Sequence, residues 1–426
     1  MTRPFMRSRR FVGFAGGSAL AAVVYGGQLA ASPWFSWFPV NFLAASLAVA
    51  VASSAILALT GVRFPASSVV PIFVWILLLI PAAWSGGSVY AHSKLIALLV
   101  VMPVLLLGVL PLFVERAGRL GFVATLVGIA LLAGSSTVTF EGGIEDRTIL
   151  EGANTIGTAR MIGSGAIVLW VLGLTWKGKL KWLVRILSIA AVVFLGARML
   201  QTGSRAPLLA LGVAMVLVVL LVAGRSNRLR SAFIFSGSLL SVMALWRLIQ
   251  SDAVDLESRS VAWLSGERDT STQARQFLWE QGLLAARHNP LGLGWGGFTD
   301  LPFISDYYRY PHNFAIELIL EAGWIIGGFV LLVLLSSGFR LWFLAGSSSL
   351  VLSTFSLFVF SVINAMFSGD INDNRLLWIT AAAAWGIAVG GRSRSAGRMV
   401  SCNSSNRLKS PLRTNAQGCV LTSRRM

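Results

Sequence analysis

Three histidines, His92, His288 and His312, are spread over 426 residues, and the third sits where proton transfer would be most useful. His312 follows Pro311 and precedes Asn313 at the head of a long apolar run. An imidazole with an ordinary pKa of about 6.5 can take or give a proton near neutrality. Glu317 and Glu321 follow Asn313 at spacings of four, so the three share one side of a helix. Glu321 lies over two turns into hydrophobic sequence, where an ionisable side chain is costly; it marks either function or a carboxyl that locks neighbouring helices. His92 reads instead as an interface residue and His288 as a helix stop.

A second set of reactive residues is cationic. Asn154 and Arg160 open one apolar segment, and Arg198 lies near the end of the next. Gln201-Thr202-Gly203-Ser204-Arg205 then links to a segment started by Pro207. Arg275 stands in a polar stretch further on, four residues before Trp279. Arg presents a planar fork suited to bidentate contact with phosphate. Arg205, near a helix start, would add the positive end of the helix. Taken singly, each arginine is better explained by headgroup contact or a nearby acid; Arg275 has Asp269 and Glu280. As a set on one face, they make an anion site a comparable alternative. SGDINDNR at 368–375 is read as an acceptor contact or as a polar turn, with Arg375 opening the last segment.

The frame that must hold these residues follows from composition. The chain is 55% hydrophobic and only 12% charged, with a mean hydropathy of +0.74. Soluble domains carry roughly a quarter charged residues, so the expected fold is an all-α polytopic membrane protein. Each span needs about 20 apolar residues. Twelve are expected, at 11–31, 38–60, 66–84, 92–113, 119–139, 156–175, 182–200, 206–223, 231–249, 312–335, 343–366 and 374–390. The first run exceeds the apolar core of a cleaved signal and is read as a retained span. Four parts result: helices one to nine over 1–249, a large loop over 250–311, helices ten to twelve over 312–390, and a basic tail over 391–426.

Charge sets the orientation. With the N-terminus inside, Arg63, Arg116, Arg119, Lys177, Lys179, Lys181, Arg225, Arg228, Arg230 and Arg340 fall on inside links. Glu141, Glu145, Asp146, Glu151, Asp370 and Asp373 fall outside, as does the large loop. That alternation is the positive-inside pattern. It accounts for the net charge of +18 without nucleic acid. The Ser/Arg/Asn-rich tail is expected to be disordered and to suit an anionic inner leaflet. It carries Cys402 and Cys419, expected as free, reduced thiols.

In the loop, Asp269 or Ser271 caps a helix expected to run to about His288 along the membrane surface, with Phe277, Leu278, Leu284 and Ala285 as its apolar stripe. Gly292, Gly294, Gly296 and Gly297 make a turn-rich segment that follows a helix and does not fit a dinucleotide fingerprint. The loop as a whole reads as a lid over a site whose floor is the membrane bundle. No Asp/His cluster has metal-ligand spacing, and no metal or cofactor is expected.

TGSRAPLLAL at 202–211, RQFLWEQGLLAARHNPLGLGWGGF at 275–298 and HNFAIELILEAGWIIGG at 312–328, in that order, resemble the O-antigen ligase and polymerase superfamily. The resemblance is most specific over 150–330. It implies a bacterial inner-membrane enzyme with its site facing the periplasm. It implies a glycan donor linked to undecaprenyl pyrophosphate, and a saccharide acceptor on lipid A-core or on another lipid-linked repeat unit. Carried over by position, Arg205 and Arg275 match arginines thought to hold pyrophosphate. His312 matches the histidine at the head of the re-entering helix, and Glu321 the acid of the same motif. Asn154 and Arg160 match a looser motif, and Asn313 and Arg375 join them as substrate contacts. A glycosyl pyrophosphate already has a good leaving group, so arginines and one base suffice for a metal-independent displacement. The rival class is a transporter or flippase for an anionic lipid or sugar. It would place charged pairs near mid-membrane and repeat its halves, and no internal repeat is seen.

Overall fold

In lipid the backbone amides must be satisfied within the protein, by helices or closed barrels, and continuous apolar runs of about 20 residues suit helices. A computed structural model describes residues 3–62, 64–140, 147–151, 153–224, 237, 270–302, 304 and 308–387. All lie within the unit Met1–Ile387. The helices are α1 (Arg3–Ala30), α2 (Phe42–Leu59), α3 (Val69–Leu79), α4 (Val89–Ile96), α5 (Arg116–Ser135), α6 (Thr155–Thr175), α7 (Lys181–Gln201) and α8 (Arg205–Ala223). They continue with α9 (Thr270–His288), α10 (Phe314–Leu344), α11 (Ser349–Ala365) and α12 (Arg375–Gly386). Strands β1 (Thr137–Phe140) and β2 (Arg147–Leu150) form an antiparallel pair before α6.

Among the described residues, nine helical stretches are long and apolar enough to cross a membrane. They answer the expected spans one to eight and ten. Ser349–Ala365, within the expected eleventh, is a shorter apolar helix, and α12, within the expected twelfth, has only 12 residues, so the described residues show nine such spans and not the expected twelve. Apart from Gly237, the expected ninth span lies outside the described residues, as do all of 250–269, including Asp269, and the basic tail with its two cysteines. The β-hairpin was not anticipated. Its first strand begins within the sequence expected to end span five, and Leu150 N–H donates to Thr158 Oγ1 of α6 at 3.1 Å.

Two helices depart from regular geometry. After α4 the chain passes through π turns at Ala97–Val101 and Val104–Gly108 before regaining α-helix at Val109–Val114. Pro103 lies between the turns and has no N–H for the carbonyl one turn back, so the ladder must adjust there. In α10 the break is sharper. Gly323 has φ 80 and ψ 168, a conformation open essentially to glycine alone.

That break explains the glycines of the loop. Leu293 N–H donates to Leu320 O at 2.9 Å, Gly294 N–H to Glu321 O at 3.0 Å, and Trp324 N–H to Pro290 O at 3.0 Å. The segment from Pro290 to Gly294 thus completes the backbone bonds that the interruption frees. Gly292 has φ 84, and a Cβ there would stand 2.4 Å from Gly323 N, so no side chain fits. Trp295 is fully buried; its backbone N–H donates to Ser85 Oγ at 2.7 Å and its Nε1 to Leu78 O at 2.9 Å. Residues 294–298 are buried, so this part of the expected lid is a wall of the bundle.

The expected loop helix is present as α9, with a different stripe. Leu278, Ala285 and Ala286 pack with Phe298 and with Leu320 of α10, whereas Phe277 and Leu284 are exposed. The helical period puts 278, 282 and 285 on one face and turns 277 and 284 away from it.

Candidate functional site

The site begins at the entry to α10. Asn313 caps the helix, its Oδ1 accepting from Ala315 N–H at 3.0 Å and Ile316 N–H at 3.1 Å. The helix therefore starts at Phe314, and His312 lies just outside it. His312 has φ 55, among the described residues the one non-glycine value in the left-handed region. Such a conformation costs energy and is kept where surrounding contacts over-determine it. The imidazole lies 4.4 Å from the Tyr310 ring, centroid to centroid, and its Nδ1 is buried without a hydrogen-bond partner. Burial, and secondly the positive charge of Arg275, hold the His312 pKa down at about 4. His312 is therefore a neutral imidazole at physiological pH, able to accept a proton.

Arg275, in the first turns of α9, is thus brought to His312 electrostatically. Trp279, one turn later, reaches Phe367 with ring centroids 6.2 Å apart. This ties α9 to the link between α11 and α12, where a second polar node sits. Arg160 of α6 donates through Nη2 to Ser368 O at 2.6 Å and to Asn364 O at 3.2 Å. A guanidinium at the end of α11 suits its free carbonyls. Arg160 Nε and Asn364 Oδ1 are buried without partners. Both residues line a cavity of about 20 Å³ shared with Tyr25, Asp373 and Asn374, room for one water. Arg375 donates to Val23 O at 2.8 Å and to Asn372 O at 3.3 Å. Tyr310 connects the nodes: burial, then Asp373 and Asp370, push its phenol up, while Arg160 opposes.

The remaining expected residues fall into different places. Asn154 is the N-cap of α6, its side chain accepting from Gly157 N–H at 2.6 Å. Arg205 opens α8, which packs against both α6 and α11; short links at 176–180 and 202–204 reverse the chain twice between the start of α6 and the start of α8. Arg198 donates to Gly134 O at 2.8 Å and to Gln201 Oε1 at 2.9 Å, a structural use. Glu321 lies deeper and is fully enclosed. Its Oε2 and Glu317 Oε1 both accept from Lys94 Nζ, and all three side chains are fully buried.

Lys94 and Tyr90 are the residues the sequence reading passed over. Tyr90 Oη donates to Asp370 Oδ2 at 2.7 Å, and the Lys94 ammonium lies 5.2 Å from the Tyr90 ring centre. A signal existed, because a lysine inside an apolar span is costly enough to require a partner. The partners, Glu317 and Glu321, are more than 220 positions away in sequence.

Residues 190–333 match the family model described as O-antigen ligase. This match supports the O-antigen ligase and polymerase superfamily, and it includes all three stretches that carry the resemblance. No curated protein matches the chain.

Proposed function

We propose that this protein is a membrane glycosyltransferase of the O-antigen ligase and polymerase type. It moves a glycan from a polyprenyl pyrophosphate, undecaprenyl pyrophosphate by family resemblance, to a saccharide hydroxyl on the periplasmic side of the bacterial inner membrane. The observation that carries this reading is a neutral, strained and partly unsatisfied His312 facing the charge of Arg275 within the O-antigen ligase match. Arg275 and Arg205 neutralise the charge that develops on pyrophosphate as the bond from the anomeric carbon to its oxygen breaks. The acceptor oxygen bonds to that carbon from the opposite face, with inversion, and its proton passes to the His312 imidazole. No metal ion is required in this scheme.

An imidazole held near pKa 4 is neutral but weakly basic. Bound pyrophosphate offsets the Arg275 charge, so His312 becomes a stronger base when donor is present, while burial, the larger cause, still holds it below the ordinary value. The lipid tail has a place in this reading. An apolar groove of about 550 Å³ runs between α10 and α11 with Phe314, two residues beyond His312, in its wall. Arg160 and Arg375 form the acceptor side; Glu321 holds the helix that begins two residues after His312.

The test is transfer in vesicles containing purified protein, a radiolabelled polyprenyl-pyrophosphate glycan and a saccharide acceptor. Labelled acceptor should form in the presence of a metal chelator. Label crossing the vesicle wall with the donor intact would instead favour the transporter. A strict metal requirement would defeat the metal-independent displacement.

A further inference from the structure

The buried charges around α4 lie away from the reacting groups, and one helix turn joins them. Tyr90 and Lys94 are four residues apart and so share a face of α4. Resting on the glycan-transfer reading, we propose that this face is a strut between the two sides of the site, with Lys94 a positioning residue for His312.

Consider what each side chain grips. Tyr90 Oη holds Asp370 Oδ2, while Asp370 Oδ1 accepts from Asp373 N–H at 2.8 Å. The same link receives Arg160 at Ser368 O and Arg375 at Asn372 O. Tyr90 therefore fastens the segment on which the Arg160 node is built. Lys94 holds Glu317 and Glu321, one turn apart in α10. A single contact would fix a point on that helix; two contacts one turn apart fix its rotation and its height. This matters because the part of α10 from Phe314 to Ala322 is detached from the rest by the break at Gly323. Its register is not imposed by a continuous helix, and His312 is joined directly to its cap.

Stability alone is a poor reason for the arrangement. Burying an ammonium and two carboxyl groups carries a desolvation cost that well-packed apolar residues avoid. What the three-way contact adds is directional constraint, applied where a shift of about 1 Å in a reacting group can cost about 100-fold in rate.

The experiment compares Lys94→Met, Lys94→Arg, the triple variant Lys94→Met/Glu317→Gln/Glu321→Gln and Tyr90→Phe with wild type in the vesicle assay. Amide hydrogen exchange over 313–322 is followed in parallel. Lys94→Met should lower kcat about 100-fold with little change in donor KM, and should speed exchange in that segment. Lys94→Arg should recover most of both. The triple variant removes the unbalanced charge, so it should regain thermal stability while kcat stays low. Tyr90→Phe should raise the acceptor KM with kcat nearly held. Wild-type kcat and exchange in Lys94→Met would overturn the proposal, as would a triple variant that regains kcat along with stability. His312→Ala, run alongside, keeps the two ideas apart. If it transfers normally the assignment of His312 as base falls, and if wild type transfers no glycan the glycan-transfer reading falls; in either case exchange over 313–322 still decides whether Lys94 holds the helix.

Discussion

The two parts of α10 on either side of Gly323 meet different surroundings. Before it, Phe314, Glu317, Leu318, Leu320 and Glu321 are fully buried, and both carboxyl groups are held by Lys94. After it, Ile325 is 79% exposed, Leu332 65% and Phe343 78%, as suits a helix facing hydrocarbon. Hydropathy sees one long apolar run. The break separates a segment fixed by buried ion pairs from one whose apolar side chains face outward. The Pro290–Gly294 segment keeps the break stable by accepting and donating its freed backbone bonds.

The largest expected effect tests the break itself. In Gly323→Ala the new Cβ would stand 2.5 Å from the Leu291 carbonyl carbon, at a φ and ψ that alanine avoids. A loss of about 3 kcal/mol in stability is expected from strain of this kind, together with loss of transfer. Thermal unfolding within 1 kcal/mol of wild type would show that the helix does not depend on this interruption.

An intermediate effect should appear in pH dependence. The folded His312 pKa, about 4, lies below the ordinary 6.5, so its contribution to stability is present above 6.5 and is lost as pH falls through about 4. Relative to His312→Ala, the wild type should lose stability over that window. In transfer kinetics, kcat/KM reports the free enzyme and should fall on the acid side near pH 4, whereas kcat should fall at a higher pH because donor offsets Arg275. Coincident acid limbs near pH 6.5 would contradict the environment assigned to His312.

The smallest effect belongs to the second part of the helix. Gly328 is helical with nothing within 4 Å of an added Cβ. Gly328→Ala should therefore raise stability by about 0.5–1 kcal/mol and leave transfer unchanged. Two glycines five positions apart would then respond with opposite sign, measured by thermal unfolding and the same vesicle assay.

Much of this arrangement was legible in sequence. Hydropathy located the apolar helices, and the spacing of Asn313, Glu317 and Glu321 put them on one helix side. Rarity drew attention to His312. What could not be read was long-range pairing. Nothing local to Lys94 reveals that its partners are Glu317 and Glu321, and the glycines at 292–296 read as a turn because their contacts lie in another element. Asn154 and Asn313, expected as substrate contacts, both serve as helix caps. A cap and a ligand contact use the same side-chain chemistry, and sequence alone does not separate them. The helical period was available for α9, yet counting apolar residues without their angles placed Phe277 and Leu284 on the packed face.

His312 and Arg275 are proposed to act together on a lipid-linked glycan. The most direct measurement is single-turnover transfer in vesicles by wild type, His312→Ala, Arg275→Ala and the double variant, at equal membrane insertion. Each single variant is expected to lose at least about 100-fold in rate and the double to lose little more, because the residues serve one step. Normal transfer by His312→Ala, or losses that simply multiply in the double variant, would contradict it.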